Sequence, residues 1–215
     1  MRNLTDRIDD IKRMVSTTNQ NFKRTLEIIK EMLKNSEFDQ VLYGEAKSIE
    51  DSINLFETNV DEEVIKTIAR FQPMAINLRF LISVIKISIT IERMNDLCIN
   101  ILKVMKHSKN ISEYEQYKLI EIQEKVENMF DLFLKSYNKE DLSYSYLIIS
   151  LDEEVNAYKA AVIESIKSDD RLERYELEAL FISQHLERIG DSIKNLAEIV
   201  VYIYNGIDIR HGISN

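Results

Sequence analysis

Glycine and proline are nearly absent: 215 residues contain four of the first and one of the second. Sheets joined by tight turns draw on both, because glycine supplies positive φ and proline presets a turn. Their scarcity points to long helices with few connections. The single cysteine, Cys98, excludes an intramolecular disulfide and fits a reducing compartment. Basic residues are outnumbered 28 to 37, for a formal charge of -9. Affinity for phosphate backbones comes mainly from Lys and Arg, so nucleic acid is not an expected partner. Long apolar runs are also missing. The most apolar stretch, residues 78–91, contains Arg79 and Lys86 and is too short to span a bilayer. The start of the chain carries Asp6 and no following apolar run, so it does not read as a signal peptide. A cytoplasmic protein is expected, with membrane association only through partners.

What is present is helical rhythm. Ile8, Ile11, Met14/Val15, Phe22, Leu26, Ile29 and Met32/Leu33 follow a three-four spacing, predicting one amphipathic helix over residues 5–34. Asn35-Ser36 breaks it, and Ser36 is placed to cap a second helix running through Leu42, Ile53, Val60 and Ile68. Pro73 suits the first turn of a third helix, which continues to about His107. After the break at 108–111, Ser112-Glu113-Tyr114-Glu115 matches a capping box and predicts the start of a fourth helix. A fifth is expected through Leu142 to Ile166. A sixth is expected from Ser168-Asp169-Asp170 to Asn205-Gly206. The expected fold is all-α: two tandem three-helix bundles, six long helices in all, related by an internal duplication and divided into residues 1–108 and 109–215.

The duplication rests on particular residues. Glu92-Arg93-x-x-Asp96-x-x-x-Asn100 recurs as Glu187-Arg188-x-x-Asp191-x-x-x-Asn195, a constant offset of 95 (187 − 92), which also relates Arg79 to Arg174. In the second helix of each half, Glu50-x-x-x-Asn54 corresponds to Asp152-x-x-x-Asn156. A spacing of four places each pair along one helical stripe. Oxygen-rich clusters on neighbouring helices are a way to hold hard or borderline metals. The candidate ligands are therefore Glu92 and Asp96 in one half and Glu187 and Asp191 in the other. Glu50, Asn54, Asp152, Asn156, Asn100 and Asn195 stand in reach of the same role. Acids at this spacing are equally at home on a solvated helix face.

Other chemistries find less support. Di-iron carboxylate oxidases use Glu-x-x-His pairs, and none of His107, His185 and His211 has Glu three residues before it. His185 is a lone helical histidine, which packs more often than it transfers phosphate. Cys98 sits in an apolar pattern and reads as core. No glycine-rich phosphate loop, zinc pattern or hydrolase elbow is present.

Two segments carry a family resemblance. Gln72-Pro73-Met74-Ala75-Ile76-Asn77-Leu78-Arg79 with Ile91-Glu92-Arg93-Met94-Asn95-Asp96 resembles the first signature of the PhoU family of phosphate-uptake regulators. Leu186-Glu187-Arg188-Ile189-Gly190-Asp191 through Asn195-Leu196-Ala197-Glu198 resembles the second, and the ending 206–211 is similar too. The resemblance implies two three-helix bundles and a cytoplasmic homodimer. It also implies negative regulation that links a Pst-type phosphate ABC transporter to a sensor histidine kinase. It implies iron or another divalent or trivalent metal on the Glu/Asp-x-x-x-Asp motifs, here Glu92/Asp96 and Glu187/Asp191. Asn54 and Asn156 stand where the family often has Asp, and Asn95 where it has Gly. An accessory role on a simpler phosphate permease, or a carboxylate-bound metal enzyme, is the alternative expectation.

Overall fold

The structure is a computed structural model and describes residues 3–139, 141–167 and 173–206. Six α-helices carry the chain: α1 (Leu4–Asn35), α2 (Gln40–Phe71), α3 (Ala75–His107), α4 (Leu119–Lys139), α5 (Ser143–Lys167) and α6 (Arg174–Asn205). Among the described residues there is no strand. None of these helices is long and apolar enough to cross a membrane.

Helix α1 forms where the spacing predicts it. Asn3 and Asp6 close a capping box at its start, each side chain accepting from the other's backbone N–H. Its apolar stripe, Ile8 to Leu33, is buried along its full length. Several boundaries differ from expectation. Ser36 does not cap α2; it closes α1 in the left-handed conformation, φ 51°. The N-cap of α2 is Asp39, whose carboxylate accepts from the Val41 and Leu42 N–H groups at 2.7 and 3.0 Å. Pro73 lies two residues ahead of α3 rather than in its first turn.

The capping box expected at Ser112 is absent. Residues Ile111–Tyr117 form a 3-10 helix instead, and α4 begins at Leu119. The buried residues there are Ile111, Tyr114 and Tyr117, a period of three. Three residues per turn stacks such side chains on one edge, where an α-helix would splay them. The Tyr114 and Tyr117 hydroxyls then donate to Glu178 and Glu176 on α6. The expected sixth-helix start at Ser168-Asp169-Asp170 lies outside the described residues.

Helices α1, α2 and α3 pack on one another, as do α4, α5 and α6. Two antiparallel contacts join these bundles. Along α1 and α4, Phe22 meets Phe130 edge to face at 4.7 Å between ring centroids. Lys30 pairs with Glu127 at 2.6 Å and Lys34 with Glu124 at 2.8 Å, so one edge is basic on α1 and acidic on α4. The buried Gln123 amide donates to the Leu26 carbonyl at 2.7 Å.

Along α3 and α6 the contact is reciprocal. Arg79 Nε, near the start of α3, donates to the Ile203 carbonyl near the end of α6, 3.1 Å. Arg174, at the start of α6, donates to the His107 carbonyl at the end of α3, 2.9 Å. Each guanidinium thus satisfies an orphan carbonyl and meets the negative end of the opposing helix dipole. Gly206 ends α6 with φ 71°, and a Cβ there would come within 3.4 Å of Arg79.

Burial follows the duplication. Ile87, Ile91, Met94, Cys98, Ile101, Leu102 and Met105 of α3 are buried, as are Ile182, Leu186, Ile189, Ile193, Leu196, Ala197 and Val200, each 95 residues on. Helices α2 and α5 match at an offset of 102 (152 − 50): buried Ala46, Ile53 and Val60 correspond to buried Ile148, Val155 and Val162. The core placement of Cys98 agrees with its apolar setting, and burial pushes its thiol well above the ordinary range.

Candidate functional site

The two carboxylate clusters occupy matching places and are built differently. In the second repeat, α5 and α6 run antiparallel and bring Asp152 opposite Asp191, with Glu187 one turn nearer the start of α6. Asp152 is only 4% exposed. Its carboxylate accepts from Lys194 Nζ at 2.8 Å, and Glu187 accepts from Lys159 Nζ at 3.0 Å. Both are cross-helix ion pairs between half-buried or buried groups. Burial raises the Asp191 carboxyl above its usual value, and the negative charges of Asp152 and Glu187 add to that. Lys194 pulls the other way and is itself held above its ordinary value by Asp152.

In the first repeat, Glu92 and Asp96 lie on α3 beside Glu57 of α2. Among the described residues, no cationic side chain forms an ion pair with Glu57, Asp61, Glu92 or Asp96. Burial raises the Glu92 carboxyl, Asp96 and Glu57 raise it further, and only Arg93 opposes them. Asp61, one turn beyond Glu57 on α2, has its Oδ1 buried without a hydrogen-bond partner. Such a group is expensive unless something pairs with it.

Glu57 and Asp61 are the residues that the sequence reading missed. They form the same Glu-x-x-x-Asp pattern that marked Glu92/Asp96, which was the available signal. The α2 residues singled out instead are placed otherwise. Glu50 is engaged by Lys47 one turn earlier on its own helix. Asn54, Asn156 and Asn195 are exposed, and Asn100 is exposed with its amide oxygen 3.4 Å from Lys103 Nζ. Asn95, where the second repeat has Gly190, is buried with both amide atoms unpartnered.

The offset of 102 explains the contrast. It carries Glu57 to Lys159 (57 + 102), while the offset of 95 carries Ile99 to Lys194 (99 + 95). The second repeat thus holds two ammonium groups where the first has a carboxylate and a buried isoleucine. Among the described residues, no group of three or more His, Cys, Asp or Glu side chains is arranged to hold a metal ion.

The repulsion on Glu92 has a measurable sign. An acid whose folded pKa is raised stabilises least where it is ionised, and the penalty vanishes as pH falls through that pKa. Glu92→Gln is therefore expected to raise the Tm at pH 7.5 in EDTA. The gain should disappear near pH 4, around the unperturbed Glu value of about 4.3. A Tm unchanged at pH 7.5 would remove the repulsion from the account.

The doubled fold has counterparts among known proteins. The PhoU domain family model matches residues 11–105 and 119–200, one match per repeat. The chain belongs to the PhoU family. The phosphate-specific transport system accessory protein PhoU homolog of Pseudomonas aeruginosa is 30% identical over 179 residues, covering 80% of this chain and 74% of that protein. The phosphate-specific transport system accessory protein PhoU of Edwardsiella tarda is 29% identical, covering 80% and 71%. The crystal structure of PhoU from Pseudomonas aeruginosa superimposes with a TM-score of 0.83 at 23% identity, over 95% of this chain and all of that one. That of the phosphate transport system regulatory protein PhoU from Streptococcus pneumoniae gives 0.83 at 21% identity, over 96% and 99%. At those identities the structures establish the shared fold: the PhoU architecture of two tandem three-helix bundles.

Proposed function

We propose that this chain is a cytoplasmic, non-enzymatic negative regulator of phosphate uptake and phosphate-responsive signalling. It acts as an adaptor between a Pst-type phosphate ABC transporter and a sensor histidine kinase. The observation that carries the reading is the PhoU domain matched once in each repeat, with relatives named as accessory proteins of the phosphate-specific transport system. The described residues present charged helix faces and two carboxylate clusters. They hold no paired nucleophile and base: Cys98 is buried, and His185 is half-buried with its pKa lowered by burial and by Arg188. Docking is assigned to the acidic bundle surface against basic cytosolic faces of the partners, and the working unit is a homodimer.

An iron or other divalent or trivalent ion fits the two repeats unequally. In the first, the donors are all oxygen, and among the described residues no ammonium pairs with Glu57, Glu92 or Asp96. As placed, Glu57, Glu92 and Asp96 do not converge on one point; their side chains would have to turn together to hold an ion, whose positive charge would then offset their repulsion. In the second, Lys159 and Lys194 already pair with Glu187 and Asp152.

Deletion in the native host tests the regulatory reading. Phosphate-responsive reporter expression is expected to rise several-fold in phosphate-replete medium, with loss of control over phosphate uptake. Unchanged expression and uptake would overturn it.

A further inference from the structure

We infer that the second repeat supplies its own counter-ions: Lys159 and Lys194 stand in place of a metal cation and close that carboxylate cluster to metal. Glu187 and Asp191 correspond in chain position to Glu92 and Asp96, and Asp152 to Glu50; in this repeat Glu187 and Asp152 each hold a lysine from the neighbouring helix. Lys159 reaches Glu187 from α5, and Lys194 reaches Asp152 from α6, at 3.0 and 2.8 Å. The four side chains are between 6% and 34% exposed, so these are not solvated surface pairs. The arrangement belongs to this repeat alone, because the corresponding positions in the first are Glu57 and Ile99. An ammonium and a divalent ion compete for the same carboxylate oxygens. A metal entering here would have to displace two ion pairs and leave two half-buried lysines unpaired. The two copies of the motif therefore differ: in the first, no cation among the described residues pairs with Glu92 or Asp96, and the second is locked by lysine. The inference rests on the carboxylate-metal part of the proposed function and is independent of phosphate signalling.

The test uses the full-length protein, stripped with EDTA and dialysed against MnCl2. Bound manganese is measured by atomic absorption after gel filtration, and the Tm is measured with and without Mn2+. Asp191→Asn is expected to leave manganese content at the wild-type value. Lys159→Glu, which installs the acid found at Glu57, is expected to lower the Tm in EDTA. At saturating Mn2+ it should regain about 5 °C and bind additional manganese that Asp191→Asn then removes. Should Lys159→Glu fail to fold, Lys159→Met removes the ammonium without adding repulsion. Its Tm is expected to fall in EDTA and to rise with Mn2+ in a manner that Asp191→Asn abolishes. Wild-type protein whose manganese falls with Asp191→Asn overturns the inference. So do Lys159 variants whose Tm and manganese content equal those of wild type. Wild type without any manganese overturns the first-repeat metal instead, and the Lys159 variants still decide the second. The reporter experiment above fails or succeeds independently of all these outcomes.

Discussion

Phe130→Ala is expected to lower the unfolding free energy by about 4 kcal/mol, the range for emptying a buried aromatic site. In a chain of this size that corresponds to a Tm lower by about 12 °C. The magnitude follows from position. Phe130 is fully buried on α4 and meets Phe22 of α1 edge to face at 4.7 Å and Phe133 at 5.5 Å. Truncation empties the centre of the α1–α4 contact, one of the two that join the bundles, and long helices held by neighbouring side chains collapse poorly into such a space. The flanking ion pairs do not compensate, because partly exposed pairs contribute at most about 1 kcal/mol each. Phe181→Ala is the control: that ring is half exposed on α6, and its loss is expected to change stability by no more than about 0.5 kcal/mol. Chemical denaturation monitored by circular dichroism measures both. A Phe130→Ala loss below about 2 kcal/mol would show that the site relaxes and that the α1–α4 contact is not a principal source of stability.

Lys194→Met is expected to cost about 2 kcal/mol at pH 7, less than the 3–5 kcal/mol of a fully buried pair because Lys194 is partly exposed. It leaves Asp152, 4% exposed, facing Asp191 with no ammonium beside it. The sign with pH is fixed by Asp191, whose folded pKa is raised. Repulsion is present when the carboxylates are ionised and falls away on protonation. The penalty should therefore be largest at neutral pH and shrink as the pH drops towards about 4. Asp152→Asn in the Lys194→Met background is expected to recover most of the loss, giving a coupling energy in a double-mutant cycle. Additive single effects would show that the pair contributes nothing beyond its separate side chains.

Much of this architecture was legible in the residues. The stripe from Ile8 to Leu33 predicted α1 to within a residue at each end, because one buried face of a long helix imposes its period on the sequence. The constant offset of 95 exposed the duplication because α3 and α6 share a packing environment position by position. Local ends were less legible. Ser36 reads as an N-cap by composition, yet the turn geometry uses it to close the preceding helix. Ser112 and Glu115 match a capping box, but the three-residue spacing of Ile111, Tyr114 and Tyr117 governs that segment.

The site was legible in its acids and not in its cations. Glu92, Asp96, Glu187 and Asp191 announce themselves by repeated spacing along single helices. Lys159 lies on the neighbouring helix from its carboxylate, and Lys194 reaches across to α5, so no intrahelical pattern reports either bond. The choice of Glu50 and Asn54 over Glu57 and Asp61 has the same origin. A motif on one helix does not say which turn of the next helix lies opposite.

The paired arginines at the two ends of α3 and α6 carry a further consequence. A contact in which Arg79 serves one half and Arg174 serves the other is what an isologous dimer interface looks like after its two subunits have been fused into one polypeptide. In a true homodimer, one substitution strikes both copies of such a contact at once. Fusion releases that coupling, so each copy is free to change alone. Here Arg174 has also engaged Glu178, while Arg79 lies against Gly206. The same freedom permits one carboxylate cluster to carry lysines that its twin lacks.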